Sequence, residues 1–471
     1  MALEFFRRGT LVRVESFNPQ SMLLDYLRLD EKSKGTKEGC NEGDCGACTV
    51  VVGRVKNDKI HYQAVNACIL FLGQIHGCEL ITVDDLKVGG KLHPIQQAMV
   101  KHHASQCGFC TPGFVMSLFA LAHENPSPTR PDVVTAIAGN LCRCTGYKPI
   151  IDAGLEACKN LHDHWQIQEQ ATAAALEKIQ NADFYCGTPQ SFFAAPANTE
   201  SLAKLVAENP HARVVSGATD VGLWVTKQFR DFPQIIYTGR ADDFAKIIDT
   251  PDHLSIGAGA TYSNALHALS NLAPDVGQVM LRLGSAQVRN SGTIGGNIAN
   301  GSPIGDMPPM LIALDAHLEL LHGGAARRMP LENFFIDYGK QDRVAGELVA
   351  RIDIAKLQPN QHFKAFKITK RFDQDISAVL GAFLFTMNED RIEDVRIAYG
   401  GMAATPKRAT KTENALCGLT LIEALKIKLD DYQPISDMRA SAQYRMDTAQ
   451  GLLTKALLEL QGATNTRVLA C

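Results

Sequence analysis

Hydrophobic positions in the opening segment recur first at every second place and then at helical spacing. Residues 3–6 and 11–15 alternate as half-buried strands do, 22–29 repeat as a helix, and a glycine-rich loop runs into a strand at 49–52. This order predicts a small α+β domain over residues 1–80. From 81 to 160 the pattern turns helical, with segments at 94–103, 112–123, 131–138 and 149–160 that each carry a proline at or near the first position. Four short helices predict a small bundle. The Gln- and Ala-rich stretch 161–190, closing on Cys186-Gly-Thr-Pro, is expected to be an interdomain linker. Strands and helices alternate over 191–361, with a strand at 213–216 ending in Gly217 and another at 254–256 ending in Gly257. A last segment, 362–471, opens with basic and aromatic residues, continues through strands at 378–385 and 395–399, and closes with helices at 420–428 and 440–460. No tandem repeat interrupts the series.

At 471 residues the chain is too long for a single core, and the pattern implies several domains. Lys+Arg 47 against Asp+Glu 50 gives a net charge of -3, which argues against a nucleic-acid partner or an anionic membrane surface. The longest apolar runs, 115–122 and 380–385, fall far short of the roughly 20 residues a membrane helix needs. No apolar stretch follows Arg7 and Arg8, so no export signal is expected. Thirteen cysteines in so large a chain then favour metal sites in a reducing cytoplasm over a disulfide framework.

Eight of those cysteines form two sets. Cys40, Cys45, Cys48 and Cys68 read C-x4-C-x2-C with a fourth cysteine further on, the spacing of plant-type 2Fe-2S ferredoxins. Gly39, Gly43 and Gly46 interleave the first three, and glycine lets successive N–H groups turn towards sulfur. A zinc site would usually space its first pair by two to four residues and seldom draws three cysteines from one nine-residue loop. Cys107, Cys110, Cys142 and Cys144 read C-x2-C and C-x-C. Cys107 and Cys110 precede Thr111-Pro112, while Cys142 and Cys144 precede Thr145-Gly146-Tyr147-Lys148-Pro149, so both pairs are expected to face helix N-termini. Cys78, Cys158, Cys186, Cys417 and Cys471 show no paired spacing and are read as core or surface thiols, and His102 and His103 as structural or exposed. Arg143, between two ligands, is either a tuner of the cluster or a solvated surface residue.

Two glycine-rich loops then point to a nucleotide. Arg213, Val214, Val215, Ser216, Gly217, Ala218, Thr219, Asp220 and Val221 make a strand, a turn and a helix start, although not the G-x-G-x-x-G fingerprint. The second loop runs from Gly292 to Asp306 and offers Thr293, Gly296, Asn297, Asn300, Ser302 and Asp306. Together they predict a bound dinucleotide of flavin size.

CNEGDCGACTVVVG, QCGFCTPG, NLCRCTGY, VVSGATDVG and SGTIGGNIANGSPIGD together resemble the xanthine dehydrogenase family of molybdenum hydroxylases over nearly the whole chain. The likeness is to the bacterial arrangement in which the iron-sulfur and flavin domains share one chain and the molybdopterin domain forms another. It implies an α+β multidomain fold: a β-grasp 2Fe-2S ferredoxin domain, a four-helix 2Fe-2S domain, and a vanillyl-alcohol-oxidase-type FAD domain with a C-terminal α+β cap. By motif position it implies flavin contacts at 213–221, Thr293, Gly296, Asn297, Asn300, Asp306 and Lys367, and places Gln106 at the pterin of the partner. Ala218 and Asp220 stand where the family often has asparagine and glutamate. Arg371-Phe-Asp-Gln-Asp falls where the family controls access of NAD to the flavin.

The resemblance further implies two 2Fe-2S clusters, FAD, NAD as acceptor, and a large molybdopterin-binding partner in a dimer of such pairs. Hydroxylation, by default of hypoxanthine and xanthine to urate, is then expected on the partner, so no catalytic residue for it is expected here. A nicotinate- or aldehyde-type relative, a free-standing flavo-iron-sulfur NADH reductase and a zinc-stabilised binding module are the alternatives.

Overall fold

The computed structural model describes residues 1–159, 161–180 and 182–467. Asn160, expected as the end of the fourth bundle helix, and Cys471 lie outside the described residues. The chain divides into two compact units, Met1–Asp243 with Gly284–Gly292, and Phe244–Leu283 with the residues from Thr293 onward.

The first unit begins with a five-stranded sheet of order Thr10–Val14, Leu3–Arg7, Glu79–Ile81, Thr49–Lys56, Lys59–Asn66. Leu3–Arg7 pairs in parallel with Glu79–Ile81 and the remaining pairs are antiparallel, which is the β-grasp arrangement. Strand Thr49–Lys56 shows why its valines run unbroken. Val50 and Val52 join the core of Leu3, Phe5, Leu23 and Leu80, whereas Val51 faces Tyr62, Ile81, Phe114 and Phe119. A strand buried on both faces has no need of polar alternation.

The second of these cores belongs to four helices, Pro94–Lys101, Thr111–Glu124, Arg130–Ile137 and Lys148–Ala157, each with proline in its first two positions. Proline there costs no hydrogen bond, since the first amides of a helix have no internal acceptor. The stretch expected to be a linker is instead built into the unit. His164–Gln180 is a helix, and Phe184–Thr188 is a strand. Trp165, Thr172, Ala173 and Leu176 are buried at helical spacing, so the Gln- and Ala-rich composition reflects helix propensity rather than a tether. At its start Asp163 takes hydrogen bonds from His93 at 3.0 Å and lies 3.2 Å from His123 Nε2. Burial opposes its charge, but the two histidines prevail and hold its carboxyl below the usual range.

The first unit continues into a four-stranded sheet of order Phe184–Thr188, Ser191–Ala195, Gln234–Tyr237, Arg213–Val215, in which the last three strands are parallel.

The second unit holds a five-stranded antiparallel sheet, with His253–Gly257, Leu348–Ala355 and His317–His322 at its centre, and helix Ile294–Asn300 against Leu348–Ala355. Its C-terminal part is a four-stranded antiparallel sheet, Gln361–Ile368, Val379–Asn388, Arg391–Gly400 and Lys407–Arg408, covered by helix Ala442–Leu460 over Phe383, Phe385 and Tyr399. The helix expected at 420–428 stops early, at Leu421–Ala424. Gln450 explains the stop: its amide donates to the Ile427 carbonyl and accepts from the Leu429 N–H, engaging backbone groups that a longer helix would use.

Candidate functional site

The first cysteine loop gathers its four thiols. Gly43 and Gly46 take φ +79 and +71, Asn41 also has positive φ, and the turns so made aim amides at sulfur. Asp44 N–H and Cys45 N–H lie 3.4 and 3.3 Å from Cys40 Sγ, and Cys40 N–H lies 3.3 Å from Cys45 Sγ. Gly39 must stay bare, because a Cβ there would stand 2.7 Å from Cys45 Sγ. The thiol of Cys40 has those of Cys45 and Cys68 as partners, and Cys68 also meets Cys48. Hydrogen bonds from Cys45 and Cys68 pull the Cys40 thiol far down. The same shared proton, with burial, pushes Cys45 and Cys68 up. Four thiolates this close would need cationic charge among them, and a bound 2Fe-2S cluster would supply it.

The second set is built more openly. Cys107 and Cys144 are exposed, while Cys110 and Cys142 are half-buried. Cys110 is the N-cap of helix Thr111–Glu124. Cys142 Sγ takes the Cys144 N–H at 3.4 Å and lies 3.3 Å from the Thr145 hydroxyl. These donors come from the turn before helix Lys148–Ala157, so the expected contact with that helix's first turn is replaced by the loop itself. Burial and the Cys142 thiol push Cys110 up to about 12. Cys142 is lowered despite its burial, through Thr145 and Cys144, and Cys144 is raised by its bond with Cys107. Gln106 donates to the Cys144 carbonyl at 3.1 Å. Among the described residues no three His, Cys, Asp or Glu side chains converge as for one metal ion.

The two loops touch through their backbones. Leu141 N–H donates to the Cys45 carbonyl at 3.0 Å, so Cys142 and Cys45 are joined through one peptide and one hydrogen bond. Added Cβ atoms at Gly46 and Gly113 would collide with the carbonyls of Gly139 and Gly46 respectively. In the same unit the turn after strand Arg213–Val215 meets the first loop from the other side. Gly222 lies against Ile69, where a Cβ would be 2.6 Å from its carbonyl oxygen, and Lys227 Nζ donates to the Cys40 carbonyl at 2.6 Å. Ser216 accepts from Gln74 Nε2 at 3.0 Å. Gly217 backs directly onto Ser291, leaving no room for a side chain, and Ala218 is buried at φ +59. Thr219, Asp220 and Val221 follow, with Asp220 as N-cap of the short helix Val221–Thr226. The Arg213 guanidinium lies 5.2 Å from Trp224 and 5.0 Å from Phe232.

In the second unit Thr293 caps helix Ile294–Asn300 by accepting from Gly296 N–H at 3.0 Å. Asn297 Oδ1 is buried without a hydrogen-bond partner among the described residues, an orphaned acceptor that suits a bound group able to donate to it. Asp306 bonds Lys367 through one carboxylate oxygen and takes the Ser377 hydroxyl at 2.5 Å on the other. The two residues expected as separate flavin contacts are therefore one buried ion pair. Arg282, which its sequence context does not single out, clasps the expected NAD-side segment: it donates to the carbonyls of Phe372 and Lys367 and to Thr369, and lies 4.4 Å over the Phe372 ring. Residues 213–221 belong to the first unit and Thr293, Gly296, Asn297, Asn300, Asp306 and Lys367 to the second.

Four family descriptions match in chain order: the 2Fe-2S iron-sulfur cluster binding domain at 5–72, the [2Fe-2S] binding domain at 82–155, the FAD binding domain in molybdopterin dehydrogenase at 188–356, and the CO dehydrogenase flavoprotein C-terminal domain at 364–460. The chain is thus an iron-sulfur flavoprotein with two 2Fe-2S domains and one FAD-binding domain. It belongs to the molybdenum hydroxylase family and corresponds to its iron-sulfur and flavin electron-transfer part. Xanthine dehydrogenase of Drosophila pseudoobscura pseudoobscura is 31% identical over 474 residues, covering 88% of this chain and 35% of that protein. Xanthine dehydrogenase/oxidase of Rattus norvegicus is 30% identical over 479, covering 88% and 36%. The chain spans about a third of the length of these relatives. Among solved structures, carbon monoxide dehydrogenase from Hydrogenophaga pseudoflava shares the fold at TM-score 0.54 and 22% identity, covering 58% of this chain and 98% of that one. Quinoline 2-oxidoreductase from Pseudomonas putida 86 does so at 0.53 and 22%, covering 59% and 98%.

Proposed function

We propose that the chain passes electrons from a molybdenum centre on a partner polypeptide to NAD, in a xanthine dehydrogenase that oxidises hypoxanthine and xanthine. Cys107, Cys110, Cys142 and Cys144 would hold one 2Fe-2S cluster, and Cys40, Cys45, Cys48 and Cys68 the other. Residues 213–221, with Thr293, Gly296, Asn297, Asn300, Asp306 and Lys367, would hold FAD. When bound, the clusters carry single electrons and the flavin exchanges them for the hydride that NAD requires.

The residues of this chain do the positioning. The amides of Asp44, Cys45 and Cys144 direct N–H dipoles at sulfur, which favours the charged thiolate over the thiol. Asp306 fixes the Lys367 ammonium in place. The second set, with Cys107 and Cys144 exposed and Gln106 beside it, suits docking of the partner, and the first set, with Cys48 and Cys68 buried and Cys40 and Cys45 half-buried, suits an interior relay. One observation carries the reading: within one unit the second cysteine loop, the first loop and the turn at Gly217–Gly222 follow one another in contact, as a conductor requires.

Purification of the native complex provides the test. Recovery with a large molybdenum-containing partner, about four irons and four sulfides per chain, and xanthine-dependent NADH formation are expected. Activity with nicotinate or aldehydes but not xanthine would move the substrate to another class. An active lone chain would favour the reductase.

A further inference from the structure

Segment Gly284–Gly292 brings two amide side chains into the first unit, Asn290 and Gln287, of which Gln287 is 1% exposed. Its neighbours are equally dry, with Thr49, Ser117 and Asn140 at 1%, 2% and 1%. Gln287 Nε2 lies 3.2 Å from Thr49 Oγ1, 3.1 Å from Ser117 Oγ and 3.2 Å from Asn140 Oδ1. The hydrogens of the neighbours are already committed. The Thr49 hydroxyl donates to the Gly46 carbonyl at 2.6 Å, and the Ser117 hydroxyl to Asn140 Oδ1 at 2.7 Å. Asn140 Nδ2 donates to the Gly46 carbonyl at 3.0 Å and to Thr49 Oγ1 at 3.1 Å. What faces Gln287 is therefore a ring of three acceptors, among which its NH2 group shares two hydrogens. A carboxylate would set lone pair against lone pair, and an apolar side chain would take from the Ser117 oxygen the donor that Gln287 gives it.

The residues so held border the proposed ligands. Thr49 follows Cys48, Gly46 follows Cys45, and Asn140 lies two places before Cys142. We propose that Gln287 is a positioning residue that sets the spacing between the two cysteine loops, and with it the electronic coupling across the Cys45–Leu141 hydrogen bond. It acts through Thr49, Ser117 and Asn140, and the inference rests on the two ligand sets proposed above.

The test uses the complete complex carrying Gln287→Met, an unbranched apolar side chain of similar length. Iron and sulfide content, the paramagnetic resonance spectrum of the fully reduced protein, and the rate of electron re-equilibration between clusters after a rapid pulse of reductant are measured. Gln287→Met is expected to keep both individual iron signals while changing their mutual magnetic splitting and slowing re-equilibration several-fold. Gln287→Glu is expected to disturb the splitting at least as much. Unchanged splitting and rate in Gln287→Met, with or without a fall in thermal stability, would overturn the proposal, since a merely structural side chain would move only the stability. Should Gln287→Met lose iron, Ser117→Ala, which removes one acceptor of the same ring, decides by the same two readouts: altered supports, unaltered overturns. A wild-type protein with a single iron signal would instead refute the ligand sets.

Discussion

Glu79 sits in the middle of the β-grasp sheet, buried, with the Tyr62 hydroxyl donating to it at 3.0 Å. Burial is the main cause that raises its carboxyl from the ordinary 4.5 to about 7, against the smaller lowering influence of Tyr62. With that rise from 4.5 to about 7, the folded state holds this proton about 3 kcal/mol more tightly than the unfolded chain does. The sign follows from which state holds the proton. Below about pH 4.5 both states are protonated and nothing is lost. Between 4.5 and 7 the unfolded chain ionises first and stability falls, and above 7 the loss is complete. Glu79→Gln keeps an acceptor for Tyr62 and removes the titration. It is expected to stabilise by up to about 3 kcal/mol at alkaline pH and by under about 1 kcal/mol near pH 5. Urea unfolding at several pH values, followed by circular dichroism, measures the difference. The carboxylic acid band of Glu79, isolated by infrared difference between wild type and variant, checks its protonation directly. A gain independent of pH, or larger in acid, would refute the reasoning.

Four further outcomes are expected. Gly46→Ala places a side chain at φ +71 facing the Gly139 carbonyl, and should destabilise by more than the roughly 1–2 kcal/mol of the left-handed conformation alone, read as a thermal midpoint. Cys68→Ser and Cys144→Ser should each remove about two of four irons and a different paramagnetic signal, since a 2Fe-2S centre takes four ligands. Asp306→Asn leaves the buried Lys367 without its counter-charge, and should lower the flavin content of purified protein, measured by absorbance. Phe372→Ala removes the ring under Arg282, and should alter the Michaelis constant for NAD more than that for xanthine.

Local signals were legible in the sequence. The prolines at 94, 112, 131 and 149 mark four helix starts, because their reason is confined to one turn of chain. Within the cysteine sets the structure brings Cys40 to Cys45 and Cys68, and Cys110 to Cys142, contacts made by glycine turns and short spacings that are local too. Features set by distant partners were not legible. Glu79–Ile81 is too short to declare itself and exists by pairing with Leu3–Arg7 and Thr49–Lys56. The helix after Thr420 reads as longer than it is because Gln450, far along the chain, takes its backbone groups. His164–Gln180 reads as a tether until Trp165 and Leu176 are seen buried. Nothing near Gln287 or Arg282 in the chain announces their partners, which lie up to 238 positions away in the case of Gln287 and Thr49.

The excursion Gly284–Gly292 bears on how the protein can be taken apart. A gene fragment ending at Asp243 would encode all eight clustered thiols, yet it would lack Gln287 and the Asn290 amide that donates to the Ala64 carbonyl. Such a fragment would uncover Thr49, Ser117 and Asn140 between its two cysteine loops and take the Gln287 donor from the Ser117 oxygen. An excised ferredoxin pair is expected to need those nine residues grafted back, since segment 284–292 is a structural component of the first unit although its chain neighbours on both sides belong to the second.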